Sequence, residues 1–144
     1  MKLLILRKRL KGFLPTVKEW GHVKDTSSLN TKAVDNWLSQ HMPGFQGPSE
    51  AQKCEGGQSN PTFRINAKSG FYILRRKPPG VLLKSAHAVD REFRVQQALF
   101  CSDVPVARVH VLCEDDSVIG SAFYVMEMVD GKSFEDPIFA IVFL

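Results

Sequence analysis

Three groups of residues stand in an order that could handle a polyphosphate. The first is a glycine-rich polar run, Gly56-Gly57-Gln58-Ser59-Asn60-Pro61-Thr62, which offers small residues and backbone N–H groups. The second is an apolar segment ending in cations, Phe71-Tyr72-Ile73-Leu74-Arg75-Arg76-Lys77, and the third is Arg91-Glu92-Phe93. A glycine-rich turn between two strands, a cation on the next strand and a carboxylate on the helix that follows are the parts a nucleotide-phosphotransfer site needs. Each is weak alone, and the position of Glu92 joins them. Val89, Glu92, Phe93, Gln96, Leu99 and Phe100 fall on one stripe at three- and four-residue spacing. The carboxylate then faces inward, where a charge is costly without a partner, so Glu92 is expected to meet a cation of the preceding strand. Strand alternation selects among them: if Arg75 faces the helix, so does Ile73, while Tyr72, Leu74 and Arg76 face away.

The elements that must position these residues follow from periodicity and punctuation. Asn30, Ala33, Val34, Trp37, Leu38 and His41 form a helical stripe, with Asp25, Ser27 or Ser28 as the expected N-cap and Met42-Pro43-Gly44 as the stop. Residues 51 to 55 and 62 to 66 read as antiparallel strands joined by the turn from Gly56 to Pro61, and Ala67-Lys68-Ser69-Gly70 turns the chain into a third strand from Phe71 to Arg76. Pro78-Pro79-Gly80 stops that strand. Val81-Leu82-Leu83 connects it to a helix running from about Ser85 or His87 to Phe100. Beyond Asp103-Val104-Pro105, two more strands are expected at Arg108 to Cys113 and Ser121 to Val129, separated by an acidic turn and a short Val118-Ile119-Gly120 piece. The expected class is α+β, with one helix leading a five-stranded antiparallel sheet and a second helix packed on it.

A length of 144 residues suits one domain, and 44% hydrophobic with 24% charged residues is ordinary globular composition. The net charge of +4 is an amino-terminal property. Lys2, Arg7, Lys8, Arg9 and Lys11 are five of the 19 basic residues, and the remaining 14 face 15 acidic ones. No nucleic-acid partner is implied, and Arg75-Arg76-Lys77 makes no basic surface because alternate strand residues point to opposite faces. Leu3 to Leu6 is too short an apolar run for a membrane span, and the basic segment reads as a frayed tail or an organelle-targeting arm. Expected boundaries are a basic tail at 1–24, a nucleotide-binding lobe at 25–136 and a divergent apolar tail at 137–144.

Competing motifs fail on spacing. Three cysteines without a Cys-x-x-Cys pair suggest neither a disulfide framework nor zinc, and the four histidines stand far apart. Gly131-Lys132-Ser133 imitates the end of a Walker A loop, but the first glycine would have to sit where Met126 stands. Asp115-Asp116 reads as a solvated turn, and no metal ligands are assigned.

Taken in order, Gly57-Gln58-Ser59-Asn60-Pro61-Thr62, Ile73 to Gly80, Ala86-His87 with Asp90-Arg91-Glu92-Phe93, Ser117-Val118-Ile119-Gly120 and Phe123-Tyr124-Val125-Met126-Glu127 resemble the aminoglycoside-phosphotransferase-type, kinase-like domain. The likeness is to the form found in acyl-CoA dehydrogenase family members 10 and 11, and it covers roughly residues 25 to 134. It implies the amino-terminal lobe of a protein-kinase-like fold, with ATP and Mg2+ as cofactors. By position, Gly56, Gly57, Gln58, Ser59 and Asn60 would cover the nucleotide phosphates, and Arg75 would touch the α- and β-phosphates where many kinases have Lys. Glu92 would orient that cation. Met126, Glu127 and Met128 would form the hinge against the adenine edge, with Ile73, Val106 and Met126 as walls.

The resemblance also implies ATP-dependent O-phosphorylation by the complete family domain, with a hydroxylated acyl-CoA as the substrate and a mitochondrial or peroxisomal setting. The family's catalytic His-Gly-Asp loop and metal-binding Asp motif belong to a carboxy-terminal lobe, and neither is found in these 144 residues. The chain is therefore expected to be a truncated form, inactive alone, with a non-catalytic interaction or regulatory fragment as the alternative.

Overall fold

Alternation in Thr62-Phe63-Arg64-Ile65-Asn66-Ala67 makes a strand with one apolar face, and that face is where the core sits. The structure, a computed structural model, describes residues 29–54, 60–78 and 88–131. The elements in chain order are α1 (Thr31–His41), β1 (Glu50–Lys53), β2 (Thr62–Ala67), β3 (Gly70–Arg76), α2 (Val89–Leu99), β4 (Val109–Cys113) and β5 (Phe123–Glu127). The strands form one antiparallel sheet in the order β1-β2-β3-β5-β4. The class and the element order match the sequence expectation. The first three strands form a meander, while β5 inserts beside β3 and displaces β4 to the edge.

The two helices take opposite faces of the sheet. Phe63, Ile65, Leu74, Phe123 and Val125 point to one side, where they bury against Val34 and Leu38 of α1. Trp37 adds an edge-on contact to Phe123, with ring centroids 5.3 Å apart. On the other side α2 packs over β4 and β5, burying Val89 and resting Phe93 edge-on against Tyr124 at 6.0 Å. The stripe expected on α2 is the less exposed side through Leu99, but Phe100 lies past the helix end and is half exposed.

Boundaries shift where local chemistry outweighs pattern. Asn30, expected on the stripe of α1, is its N-cap and accepts from the Ala33 N–H at 3.2 Å; Asp25, Ser27 and Ser28 lie outside the described residues. Strand β1 ends at Lys53, although the Cys54 N–H still donates to the Thr62 carbonyl at 2.8 Å. The fifth strand is shorter than Ser121 to Val129, and Val118-Ile119 is a turn whose two side chains pack on the core. Ser85 and His87, the expected helix start, and Val81-Leu82-Leu83 lie outside the described residues, as do residues 1–28 and the apolar tail at 137–144.

Asp35 ties α1 to the approach of β1. Its carboxylate accepts from the Ser49 N–H at 2.8 Å and from the Ser49 hydroxyl at 2.5 Å. Gly47 allows this approach, because a Cβ there would lie 3.1 Å from the Asp35 carboxyl carbon. Gly70 closes the β2–β3 hairpin at φ 139°, a conformation that costs glycine little.

Leu38 is fully buried between α1 and the sheet, whereas Val95 on α2 is 51% exposed. Leu38→Ala should cost about 2–5 kcal/mol and Val95→Ala about 0.5 kcal/mol or less in urea unfolding. Equal losses at the two positions would show that α1 does not seal the core.

Candidate functional site

The site is a cross-strand row on the α2 side of the sheet. Arg75 in β3 pairs with Thr62 in β2 and with Tyr124 in β5, and paired residues project to the same face. The next row, Arg64–Ile73–Met126, lies beside it on that face. Helix α2 places Glu92, an acidic residue of its first turn, above the Arg75 row. A carboxylate in the first turn also faces the positive end of the helix dipole.

Glu92 is held from three directions. Arg75 Nε lies 3.0 Å from Oε2, and both side chains are about a third exposed, 33% and 34%. That Nε has no hydrogen-bond partner, so the contact is an attraction between charges and not a directed N–H···O bond. The Tyr124 hydroxyl donates to Oε2 at 3.2 Å, and Asn60 Nδ2 donates to Oε1 at 2.9 Å. Gln96, one turn along α2, donates through Nε2 to the Tyr124 oxygen at 3.1 Å.

Burial, followed by the neighbouring Glu92 charge, pushes the Tyr124 phenol up to about 12. The phenol therefore stays protonated at neutral pH and keeps its O–H for the carboxylate.

The expected pairing of Glu92 with Arg75 is present, and Arg76 is excluded from it as alternation requires. Arg76 pairs in register with Phe123 on the α1 face, where burial lowers its affinity for the proton. Glu92 faces the sheet as expected, and the exposure of the pair places it at the rim of the helix–sheet contact. Asn60 is 1% exposed, and its amide is turned onto Glu92. Gly56, Gly57, Gln58 and Ser59 lie outside the described residues.

At the expected hinge, Met126 lies in β5 opposite Ile73, and both are half-buried. Glu127 is already engaged with Arg108. Its backbone N–H donates to the Arg108 carbonyl at 2.9 Å, and its Oε1 accepts from the Arg108 N–H at 2.9 Å. The Glu127 N–H is thus committed to the β4 approach, leaving the half-buried Met128 as the first residue past the strand. Val106, the third expected wall, is half-buried in the loop before β4.

Tyr124 is not among the residues the sequence points to, and the sequence places Gln96 only on the stripe of α2. Alternation from Met126 puts Tyr124 on the face of Met126, but its meeting with Arg75 required knowing that β5 lies next to β3.

Two measurements probe this arrangement. A double-mutant cycle on Arg75→Met and Glu92→Gln should give a coupling of about 1 kcal/mol, reduced from a buried pair's value by the solvent exposure. Additive losses would remove the pairing. For Tyr124, the folded value lies above the unfolded one, so its contribution is complete below pH 10 and declines as pH rises toward about 12. Tyr124→Phe should flatten that decline in alkaline unfolding curves, and an unchanged slope would contradict the buried phenol.

Comparison with known proteins agrees with this fold. The profile of the phosphotransferase enzyme family matches residues 50–140. Mouse acyl-CoA dehydrogenase family member 11 is 49% identical over 112 residues, which cover 75% of this chain and 14% of that protein. Mouse acyl-CoA dehydrogenase family member 10 is 42% identical over 116 residues, covering 80% of this chain and 11% of its own length. The crystal structure of a candidate aminoglycoside phosphotransferase from Ralstonia eutropha superposes with a TM-score of 0.65 at 44% identity, over 76% of this chain and 30% of that one. The chain thus spans under a third of the solved neighbour and about one seventh or less of these two curated relatives. With a matching family profile over more than half its length and a kinase-like sheet around Arg75 and Glu92, this chain belongs to the phosphotransferase enzyme family of aminoglycoside-phosphotransferase type.

Proposed function

We propose that this chain is the nucleotide-binding portion of a small-molecule kinase domain. The observation that carries the reading is the Arg75–Glu92 pair on a half-open sheet face, beside the half-buried pair Ile73 and Met126. Glu92 approaches Arg75 most closely at Nε, which leaves the Nη end of the guanidinium as the part suited to a phosphate. Arg75 thus binds and orients the α- and β-phosphates, while Glu92 fixes the direction of the cation. Ile73 and Met126 shield the base from water on one side. ATP, when bound, supplies the phosphoryl group to be transferred.

No group of three His, Cys, Asp or Glu side chains that could hold a metal occurs among the described residues, and no magnesium site is proposed within them. No helix among them is long and apolar enough to cross a membrane. The likeness to acyl-CoA dehydrogenase family members supports a hydroxylated acyl-CoA as the phosphoryl acceptor of the complete domain, in fatty-acid catabolism. A second reading, a non-catalytic interaction fragment, draws on Val95, Phe100 and Val104, about half exposed along and after α2.

Calorimetry separates the two. The 144-residue polypeptide should bind a non-hydrolysable ATP analogue, and Arg75→Ala should weaken that binding at least about tenfold, the loss of one charge-assisted contact. The same polypeptide should transfer no phosphate to a hydroxyacyl-CoA, since these residues include no His-Gly-Asp sequence. Absence of nucleotide binding would favour the interaction fragment. Transfer that is lost in Arg75→Ala would overturn the inactivity of this stretch.

A further inference from the structure

Asn60 has chemistry that phosphate coverage does not explain. It stands two residues before β2, is 1% exposed, and directs its amide nitrogen 2.9 Å onto Glu92 Oε1 of α2. The other carboxylate oxygen, Oε2, is taken by Arg75 and Tyr124. Each oxygen therefore has its own protein partner, and the two sets come from different elements. Tyr124 and Arg75 hold the carboxylate from the sheet's central strands, and Asn60 holds it from the segment entering β2.

We infer that Asn60 is a positioning residue, a strut that sets the spacing between the entry of β2 and helix α2 and so fixes the distance at which Glu92 presents Arg75 to a nucleotide phosphate. Three features support a strut over a direct phosphate ligand. The side chain is buried, so an approaching anion meets little of it. Its donor is already spent on a carboxylate, a bond stronger than one between neutral groups. The atom left without a partner is the acceptor Oδ1, which would repel a phosphate. Among the described residues Asn60 is the donor to Oε1. Arg75 Nε makes no directed hydrogen bond to Glu92, so the carboxylate's orientation rests on the two directed donors, Asn60 and Tyr124. Losing Asn60 frees Oε1 and lets the carboxylate rotate about the contact at Oε2.

This inference rests on the nucleotide-binding reading for its consequence, though not for the contact itself, and its test keeps the two apart. The contact is judged without ligand by exchanging donor and acceptor. Asn60→Asp sets two carboxylates against each other and should lower the melting temperature at neutral pH. Adding Glu92→Gln to the same polypeptide returns an amide donor opposite a carboxylate and should recover most of the loss. A double variant no more stable than the sum of the single effects would remove the strut. The positioning role is judged by Asn60→Ser, which withdraws the Nδ2 donor, at a temperature where circular dichroism shows the variant folded. Its affinity for a non-hydrolysable ATP analogue should fall about tenfold. Unchanged affinity in the folded variant would reduce Asn60 to a packing role. If the unaltered chain binds no analogue, the nucleotide reading fails and takes the positioning role with it, while the exchange experiment still decides whether the contact exists.

Discussion

A carboxylate placed where a helix meets a sheet has to be satisfied, and most of the local architecture follows from satisfying Glu92. Water can reach only part of it, since its side chain is 34% exposed, so protein groups must supply the remaining charge and hydrogen bonds. They come from three elements: Arg75 of β3, Tyr124 of β5 and Asn60 before β2. Each donor constrains its own element relative to α2. Together they fix the helix over the central strands more specifically than the sparse apolar contact of α2 does, for only Val89 of that helix is fully buried.

The contrast between the two faces of the sheet supports the same view. The α1 face is mostly apolar, with Val34, Leu38, Ile65, Leu74 and Phe123 all at 0% exposure, and it carries the hydrophobic stabilisation. The α2 face is half-buried, charged and hydrogen-bonded. A fold can place costly polar groups on one face when the opposite face supplies the burial that keeps the sheet intact. The division also assigns the adjacent cations. Arg75 and Arg76 differ by one residue and end on opposite faces, one beside Glu92 and one opposite Phe123.

The strand order sets which groups can cooperate. Because β5 lies between β3 and β4, Tyr124 becomes a direct neighbour of Arg75, and Met126 becomes a neighbour of Ile73. Had the last two strands continued the meander, β4 would flank β3 and its side chains would stand in that row. Glu127 shows the cost of this placement: securing β4 to the outer edge consumes its backbone N–H and its carboxylate on Arg108.

Local information was sufficient for much of this. Alternation in β2 and β3, the turn residues at 67–70 and the stripe on α2 define the elements, because these depend on neighbours within a few residues. The pairing of Glu92 with Arg75 was legible for the same reason: periodicity turned the carboxylate inward, alternation separated Arg76 from Arg75 and Lys77, and the family resemblance singled out Arg75. The tertiary structure alone decided the rest. Tyr124 could not be joined to Glu92 until the insertion of β5 beside β3 was known, a pairing between segments some fifty residues apart. Asn60 looked like a turn residue, since Asn commonly serves turns, and only its burial against α2 shows the amide spent on a carboxylate 32 positions away. Periodicity reports which way a side chain points from its own element, but which element lies opposite is a property of the assembled sheet.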